Sequence, residues 1–340
     1  MMTFLVIAVV FLLSWLGTEL FRRFSLKRSI LDIPNERSSH ATPVPRGGGI
    51  LFVILSLAVY AIATAYYNSI SFGFLIGATL VAAISLADDL VSIPFFIRLA
   101  VHMVAAAVLI NDIGSLTAIP LPMTGRDISF GLAGPAVTVF WLVWMINSYN
   151  FMDGIDGIAG TQALIAAGGW MVIGYNVESQ AVMIFCAAVA ASVAGFLLHN
   201  WSPARIFMGD VGSAFLGFTF GAIPLLIARE SHFDSGWLFA IAITILWPFL
   251  FDTVYTLLRR TVKGERFWEA HRSHLYQRLV AAGYSHRAVS LLYGSSTLVL
   301  TSLAVITLAA PGRFEWPLLV LSIMVAAVLL ISAHPGKTLT

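Results

Sequence analysis

Long apolar segments recur along the whole length of this chain. A helix needs about 20 apolar residues to cross a bilayer, and eleven segments approach that length. We place them at about 3–21, 48–67, 71–87, 96–111, 133–149, 158–175, 179–198, 211–228, 237–258, 288–310 and 316–333. Only 11% of the residues are charged, whereas ordinary soluble domains carry roughly 25%. We therefore expect an all-α polytopic membrane protein with about 11 transmembrane helices, a retained first span and a single integral-membrane domain over 1–340.

The orientation in the membrane follows from the basic residues, which concentrate in cytoplasmic loops. With the N-terminus periplasmic and the C-terminus cytoplasmic, all but three of the 19 Lys and Arg fall inside. The same alternation places five polar clusters on the inside, at residues 32–49, 88–89, 147–157, 200–210 and 259–278. A one-sided arrangement favours an enzyme with a cytoplasmic substrate over a transporter, whose polar groups more often lie near the bilayer midplane.

The cluster at 147–157 is the most specific of these, with the pattern N-x-x-N-x-x-D-G-x-D-G. Spacings of three place Asn147, Asn150 and Asp153 on one helical face, and the glycine after each carboxylate permits a close backbone approach. Carboxylates and amides offer the oxygen ligands that hard divalent cations prefer. The run predicts a metal and phosphate site, and the alternative is an Asx-rich turn between two spans.

Two further clusters carry carboxylates. Asp88 and Asp89 are adjacent, so mutual repulsion raises the pKa of one unless a cation lies nearby; this predicts a metal site or a base, or else an acidic helix end. Asp210 begins a predicted helix, where a carboxylate also suits a plain capping role. Phe207 is placed to stack on a nucleobase or to act as an interfacial aromatic.

The basic segment 259–274 contains His271 and His274, which are helical neighbours if the segment is helical. Basic side chains with two histidines suit a pyrophosphate, while the alternative is cytoplasmic charge attracted to anionic lipid. Asp252 falls inside the ninth span and is expected to face the bundle or a polar cavity. His102 is expected to be a packing histidine with satisfied hydrogen bonds.

In order and spacing, these clusters resemble the polyprenyl-phosphate N-acetylhexosamine-1-phosphate transferases, a family of the phospho-N-acetylmuramoyl-pentapeptide transferase superfamily. The matching motifs are P-N-x-R-S-x-H-x-x-P-x-P-R-G-G-G at 34–49, D-D at 88–89, the run at 147–157, P-A-x-x-F-M-G-D-x-G-S at 203–213, D-T-x-x-x-x-x-R-R at 252–260 and H-x-x-H at 271–274. They cover essentially the whole chain.

The resemblance implies a reaction in the bacterial inner (plasma) membrane, at an active site facing the cytoplasm. An N-acetylamino-sugar 1-phosphate passes from a UDP-sugar to undecaprenyl phosphate, giving undecaprenyl-diphospho-sugar and UMP, with Mg²⁺ or Mn²⁺ required. This would be the first membrane step of O-antigen or surface polysaccharide synthesis. Nucleic acid is not expected as a partner, and a homodimer is left open.

The family pattern also implies roles for individual residues. The predicted metal ligands are Asp210 and Asn150. The predicted catalytic residues are Asp88, Asp89, Asp153, Asp156, His271 and His274, with Asp88 or Asp89 deprotonating or positioning the lipid phosphate. The predicted substrate-binding residues are Arg46, Asn147, Gly154, Asn200 and Phe207; Gly154, Asp156, Asn200 and Phe207 match positions that hold the uracil.

One departure bears on the branch and the sugar. The peptidoglycan branch carries three consecutive histidines, whereas this chain has His271-Arg272-Ser273-His274. The pattern is more similar to the branch that initiates O-antigen, with N-acetylfucosamine, N-acetylquinovosamine and N-acetylglucosamine left open as the sugar. Among other classes, an intramembrane aspartyl protease needs two aspartates at membrane depth, whereas Asp210 lies at a boundary. A CDP-alcohol phosphotransferase needs D-G-x-x-A-R, and residues 156–160 lack that arginine.

Overall fold

A computed structural model of the chain describes residues 2–34, 42–121, 124, 126–265, 272–309 and 315–333. These residues form α-helices and two small antiparallel sheets, which confirms the all-α membrane class. The helices are α1 Met2–Arg28, α2 Gly49–Tyr66, α3 Phe72–Leu90, α4 Phe95–Ile113, α5 Gly134–Met152, α6 Ile158–Asn176, α7 Gln180–Asn200, α8 Asp210–Ser231, α9 Ser235–Ile245, α10 Trp247–Val262, α11 Leu275–Ala281, α12 His286–Ala309 and α13 Glu315–Ser332. The paired strands are β1 Leu31–Asp32 with β2 Val44–Pro45, and β3 Ala118–Leu121 with β4 Arg126–Ser129.

The helices that could cross a membrane are slightly fewer than predicted. In the described ranges, nine are long and apolar enough, and the bent pair α9–α10 makes a tenth. The last predicted span is helical, but its apolar described part, Leu318–Ser332, is shorter than a full span. The chain is therefore a multi-pass membrane protein, and which side faces the cytoplasm stays a prediction.

The ninth span is broken, so its prediction as one helix over 237–258 is wrong. Helix α9 ends at Ile245, and α10 leaves at an angle of 76°. Pro248 has no N–H to continue the α9 ladder, and its ring clashes with the preceding turn. Backbone groups freed inside a membrane need partners from the protein; the amide of Gln162 donates to the carbonyl of Ile245 at 3.2 Å, and Thr297 donates to Gln162 in turn.

Helix α8 is the centre of the bundle, because 94% of its most apolar stretch is buried inside the protein. It packs against α2, α3 and α5. The contact with α2 is made backbone to backbone: a Cβ on Gly49 would lie 2.6 Å from the Cα of Gly212. This close approach fixes the start of α8, which carries Asp210, against the start of α2.

The described polar clusters meet at one end of the bundle. Helices α3, α5 and α7 end there, and α4, α6, α8 and α12 begin there. The opposite end holds the β3–β4 hairpin and the ion pair between Arg229 and Asp112, at 3.3 Å. The alternation of spans therefore brings together residues that are more than a hundred positions apart in sequence.

Candidate active site

Asp89 joins α3 to α8. Its two carboxylate oxygens accept the backbone N–H groups of Asp210 at 3.0 Å and Val211 at 3.1 Å, and it is only 7% exposed. The first N–H groups of a helix have no partner within the helix, and Gly209 at the N-cap provides no side chain. Asp89 is therefore the cap of α8, and the alternative reading of Asp210 as the capping residue is wrong.

Arg98, in the first turn of α4, connects Asp88 with Asp210. Its Nη1 donates to the Asp88 carboxylate and to Oδ2 of Asp210 at 3.2 Å. Asp88 also accepts the N–H of Ile93 at 2.7 Å. The sequence reasoning counted Arg98 only as a cytoplasmic charge, and its position at the start of the span after the paired carboxylates was the available signal.

The end of α5 supplies an amide and a carboxylate to the same place. The Asn150 amide donates to Oγ of Ser213 at 3.2 Å and lies beside the Asp210 carboxylate. Asp153 follows just beyond the helix, which ends at Met152. Asn147 instead donates to the carbonyl of Val143 in its own helix at 2.7 Å, so the structure does not bring its amide to this cluster.

Asp153 is the carboxylate whose charge is least compensated. Burial, together with the neighbouring carboxylates of Asp210 and Asp89, raises the pKa of Asp153 well above its usual range. Arg46 contributes one distant positive charge, with its Nε 4.0 Å from Oδ1 of Asp89. Closely spaced carboxylates of this kind favour a nearby cation.

The donor set fits a hard divalent cation in chemistry, although it is not pre-arranged as a coordination sphere. Within the described ranges, no three His, Cys, Asp or Glu side chains already converge as metal ligands. The carboxylates of Asp210 and Asp153 and the amide of Asn150 nevertheless offer oxygens, which Mg²⁺ prefers, usually with several waters retained. A bound cation would also relieve the repulsion that raises the pKa of Asp153.

Arg46 is positioned by backbone hydrogen bonds between two glycine-containing segments, residues 45–49 and 207–213. Phe207 donates its N–H to a carbonyl within residues 45–49 at 2.8 Å, and its own carbonyl accepts an N–H from the same segment at 2.9 Å. Gly209 has φ +79°, and a Cβ there would meet the Asp89 carboxylate at 2.7 Å. Phe207 itself is half-buried at the edge of the site.

Gly154 lies beneath the short helix α11. A Cβ on this glycine would lie 2.0 Å from the hydroxyl oxygen of Tyr276, and that hydroxyl donates to the carbonyl of Phe151 at 3.0 Å. A side chain at position 154 would therefore require Tyr276 to shift. Tyr276, which sequence reasoning did not select, fixes the loop that follows α5.

Asn200 braces two loops of the site. Its Oδ1 accepts the N–H of Gly157 at 3.1 Å, and its Nδ2 donates to the carbonyl of Ile206 at 2.9 Å. Gly157 has φ +75°, a left-handed conformation that glycine adopts without steric cost. Both ends of the Asn200 amide are thus engaged with backbone groups.

Asp156 is held between the 200–207 loop and the start of α12. It accepts the N–H of Ala204 at 3.2 Å, and the Nδ1 of His286 lies 3.4 Å from its other oxygen. Burial opposes ionisation, but the hydrogen bonds from His286 and Ala204 lower the pKa of Asp156 below its usual value. Asp156 therefore remains a carboxylate, and His286 is a further residue that the sequence reasoning missed.

His274 is anchored through Asp252, which faces the bundle as predicted and is fully buried. The Asp252 carboxylate accepts the N–H groups of Leu275 at 2.8 Å and Tyr276 at 3.1 Å and the hydroxyl of Tyr293 at 2.7 Å. The Nδ1 of His274 lies 3.2 Å from the same carboxylate. Asp252 thus ties α10 to α11 and fixes the ring of His274.

The other two histidines named from the sequence give different outcomes. His271 lies outside the described residues, so its assigned role stays a prediction. His102 is buried as expected, but neither of its ring nitrogens has a hydrogen-bond partner in the described part of the chain. The expectation that its hydrogen bonds are satisfied is wrong.

Comparison with known proteins gives a family match and several relatives that align with most of the chain. Residues 71–228 match glycosyl transferase family 4. A protein of Bacillus subtilis, named a probable undecaprenyl-phosphate N-acetylglucosaminyl 1-phosphate transferase, is 28% identical over 309 residues, or 87% of this chain and 85% of its own. The decaprenyl-phosphate N-acetylglucosaminephosphotransferase of Mycolicibacterium smegmatis is 28% identical, covering 83% and 76%. A phospho-N-acetylmuramoyl-pentapeptide-transferase of Listeria monocytogenes is 28% identical, covering 66% and 74%.

The matched region coincides with the geometry described above. It contains the residues of α3, α4, α5 and α8 that meet at the carboxylate cluster, namely Asp88, Asp89, Arg98, Asn150, Asp153 and Asp210, and it also contains Asn200 at the end of α7. All three relatives are transferases by their names, and the names of the first two include a polyprenyl phosphate, which agrees with a site rich in carboxylates and arginine at one end of the bundle. Residues 71–228 therefore form a region of glycosyl transferase family 4, and the relatives support a membrane phosphoglycosyltransferase.

Proposed function

We propose that this enzyme transfers an N-acetylamino-sugar 1-phosphate from a UDP-sugar to undecaprenyl phosphate and releases UMP. The observation that carries this proposal is the meeting of Asp88, Asp89, Asp153 and Asp210 with Arg98 at one end of the bundle. The names of the relatives support a polyprenyl phosphate as acceptor and an N-acetylhexosamine phosphate as the group transferred.

The lipid acceptor is supported by the outward face of α10. Val254 and Leu258 are exposed there, whereas Asp252 and Thr256 on the opposite face are buried. Because α10 is turned 76° from α9, we propose that its apolar face lies against the bilayer and leads toward the carboxylates of the site. A polyprenyl chain can therefore remain in hydrocarbon while its phosphate reaches the site.

Asp88 is better placed than Asp89 to act on the acceptor phosphate. Both oxygens of Asp89 are engaged in capping α8, while Asp88 is more exposed and is held by Arg98 and the N–H of Ile93. In the proposed reaction, Asp88 positions or deprotonates the lipid phosphate. A phosphate oxygen forms a bond to the β-phosphorus, and the bond from that phosphorus to the bridging oxygen breaks as UMP leaves.

Phosphoryl transfer depends on positioning and charge neutralisation more than on covalent protein chemistry. Asp210 and Asn150, with Asp153 beside them, are the residues that would hold Mg²⁺ or Mn²⁺. When bound, the cation neutralises developing phosphate charge. Arg46 orients the donor from the paired glycine-containing segments.

The nucleotide is proposed to bind against the loops joined by Asn200. Asn200 and Asp156 shape this surface through their backbone contacts, and Gly154 leaves room for Tyr276. Phe207, half-buried at the edge, provides a ring on which uracil stacks. We infer that the sugar is that of an O-antigen or other surface polysaccharide and that the site faces the cytoplasm.

The test is an exchange assay on the full chain in purified membranes. Labelled UMP should exchange into a UDP-N-acetylamino sugar only when divalent metal and undecaprenyl phosphate are both present. Asp210→Ala should abolish exchange, whereas Asp127→Asn, an exposed change in the hairpin at the other end, should leave it intact. Full activity in Asp210→Ala would contradict the metal assignment.

The sugar and the topology need separate measurements. A panel of UDP-N-acetylglucosamine, UDP-N-acetylfucosamine and UDP-N-acetylquinovosamine, with lipid products identified by mass, selects the donor. For topology, a cysteine introduced as Lys263→Cys in the exposed turn after α10, in a Cys186→Ala background, should react with an impermeant thiol reagent only from the cytoplasmic side. Labelling from the periplasm would contradict the proposed orientation.

A further inference from the structure

Arg98 occupies an unusual place, because one of its nitrogens contacts carboxylates from two other helices. Its Nη1 donates to Asp88 at the end of α3 and to Asp210 at the start of α8. Arg98 itself belongs to α4. A single positive charge thus holds the ends of three helices together at the carboxylate cluster.

The ion pairs of Arg98 with Asp88 and Asp210 use only part of the hydrogen-bonding capacity of its guanidinium group. A guanidinium carries five N–H donors in a fixed fork, and it pairs best with a carboxylate when two of them act in parallel. Here both ion pairs use the same nitrogen, and Nε is buried without an acceptor in the described part of the chain. Arg98 therefore neutralises Asp210 without being locked to it.

Asp210 is also the residue proposed to hold the divalent cation. An arginine 3.2 Å from its carboxylate and a metal ion on the same carboxylate would repel each other. Asp89 cannot take over the role of Asp210 without releasing the N–H groups that it caps. The two cations would therefore weaken each other's binding to Asp210.

We propose that Arg98 is a displaceable counter-cation, a positioning residue that holds Asp88 and Asp210 together before the metal binds and competes with the metal for Asp210. This rests on the proposed function, since it assumes that Asp210 is a metal ligand. Its consequence is specific: loss of the Arg98 charge tightens metal binding, although the same residue lies within the active site.

The experiment measures Mn²⁺ affinity rather than turnover. The full-length protein in detergent micelles is titrated with Mn²⁺ without substrates, and free Mn²⁺ is followed by electron paramagnetic resonance. Arg98→Gln should bind Mn²⁺ about tenfold or more tightly than the wild type, because a neighbouring like charge at a few ångströms is costly even in a partly polar site. Arg98→Lys should stay close to the wild type. Arg287→Ala, which removes an exposed basic charge from the start of α12, should leave the affinity unchanged.

Thermal unfolding provides a second measurement, which detects a folding defect in Arg98→Gln. Without metal, Arg98→Gln leaves Asp88 and Asp210 without their counter-charge, so its unfolding temperature in EDTA should fall below that of the wild type. Mn²⁺ should raise the unfolding temperature of Arg98→Gln more than that of the wild type. If the variant cannot be purified in EDTA, purification in Mn²⁺ should restore it, and failure in both conditions would overturn the proposal.

The outcomes separate this inference from the proposed function. Equal or weaker Mn²⁺ binding by Arg98→Gln, with normal binding by the wild type and loss in Asp210→Asn, overturns the competition but leaves the metal site intact. Binding that is absent from the wild type, or unchanged in Asp210→Asn, instead removes the metal assignment on which both rest.

Discussion

The carboxylate of Asp89 accepts the backbone N–H of Asp210 at 3.0 Å, so one acidic residue of the site holds the helix that presents another. Its sequence neighbour Asp88 points elsewhere and pairs with Arg98. Two adjacent carboxylates at one helix end therefore have different tasks. Asp89 fixes α8 relative to α3, and Asp88 is available to the acceptor phosphate.

This division predicts opposite effects for two matched substitutions. Asp89→Asn should lower stability by about 1–2 kcal/mol, as for the loss of a helix cap, and should reduce activity through displacement of α8. Asp88→Asn should abolish UMP exchange with a much smaller change in unfolding temperature, since relief of carboxylate repulsion offsets the lost pair with Arg98. Thermal unfolding of the detergent-solubilised protein and the exchange assay measure the two effects. A lower unfolding temperature for Asp88→Asn than for Asp89→Asn would contradict the assignment.

We predict that replacing Asp153 by asparagine stabilises the protein in a pH-dependent way. Burial and the carboxylates of Asp210 and Asp89 raise its pKa well above the usual range. Because the pKa is higher in the folded protein, the folded state is favoured fully below the unfolded pKa of about 4 and loses stability as the pH rises toward the folded pKa. Asp153→Asn removes this loss, so the variant should unfold at a higher temperature than the wild type at neutral pH in EDTA.

The difference between Asp153→Asn and the wild type should shrink as the pH falls toward about 4, where the unfolded carboxyl group also becomes protonated. It should also shrink when Mg²⁺ is added to the wild type, because the cation compensates the carboxylate charge. A constant difference across this pH range would show that ionisation of Asp153 is not its cause. Exchange activity should be lost in the variant throughout.

The sequence was sufficient for the class of fold and for the clusters that meet at the site, because the length of apolar runs and the alternation of spans depend on the chain alone. The break between α9 and α10 also had a sequence signal in Pro248. Its stabilisation by Gln162 and Thr297 could not be predicted, because these residues lie in two other helices.

The division of labour between Asp88 and Asp89 was beyond sequence reasoning for a similar reason. The rotation of the end of α3 decides which carboxylate meets α8, and packing sets that rotation. Arg98 and His286 were missed because each acts through a residue far away in sequence, at 3.2 Å from Asp210 and 3.4 Å from Asp156. A basic residue at the end of a span is otherwise indistinguishable from ordinary cytoplasmic charge.

We predict that a substitution at Tyr276 restores part of the stability that is lost when Gly154 is replaced. Gly154→Ala places a methyl group 2.0 Å from the Tyr276 hydroxyl oxygen, so it should lower both the unfolding temperature and exchange activity. Tyr276→Phe loses the hydrogen bond to the Phe151 carbonyl, worth about 1 kcal/mol, and the contact of the hydroxyl with the Gln277 side chain. The double variant should be more stable than Gly154→Ala alone, because the clashing atom is gone. Additive losses in the double-mutant cycle would show that the hydroxyl is not the source of the conflict.

We predict that substitutions around Asp252 lower the stability of the protein by graded amounts, because Asp252 is a fully buried acceptor for several donors at once. Asp252→Ala leaves the N–H groups of Leu275 and Tyr276 and the hydroxyl of Tyr293 without their acceptor, and breaking such a buried network costs about 3–5 kcal/mol. Tyr293→Phe removes one of these bonds and should cost about 1 kcal/mol. Thermal unfolding should therefore rank the wild type above Tyr293→Phe and Tyr293→Phe above Asp252→Ala. Equal unfolding temperatures for the two variants would mean that α11, with His274, is held by contacts other than Asp252.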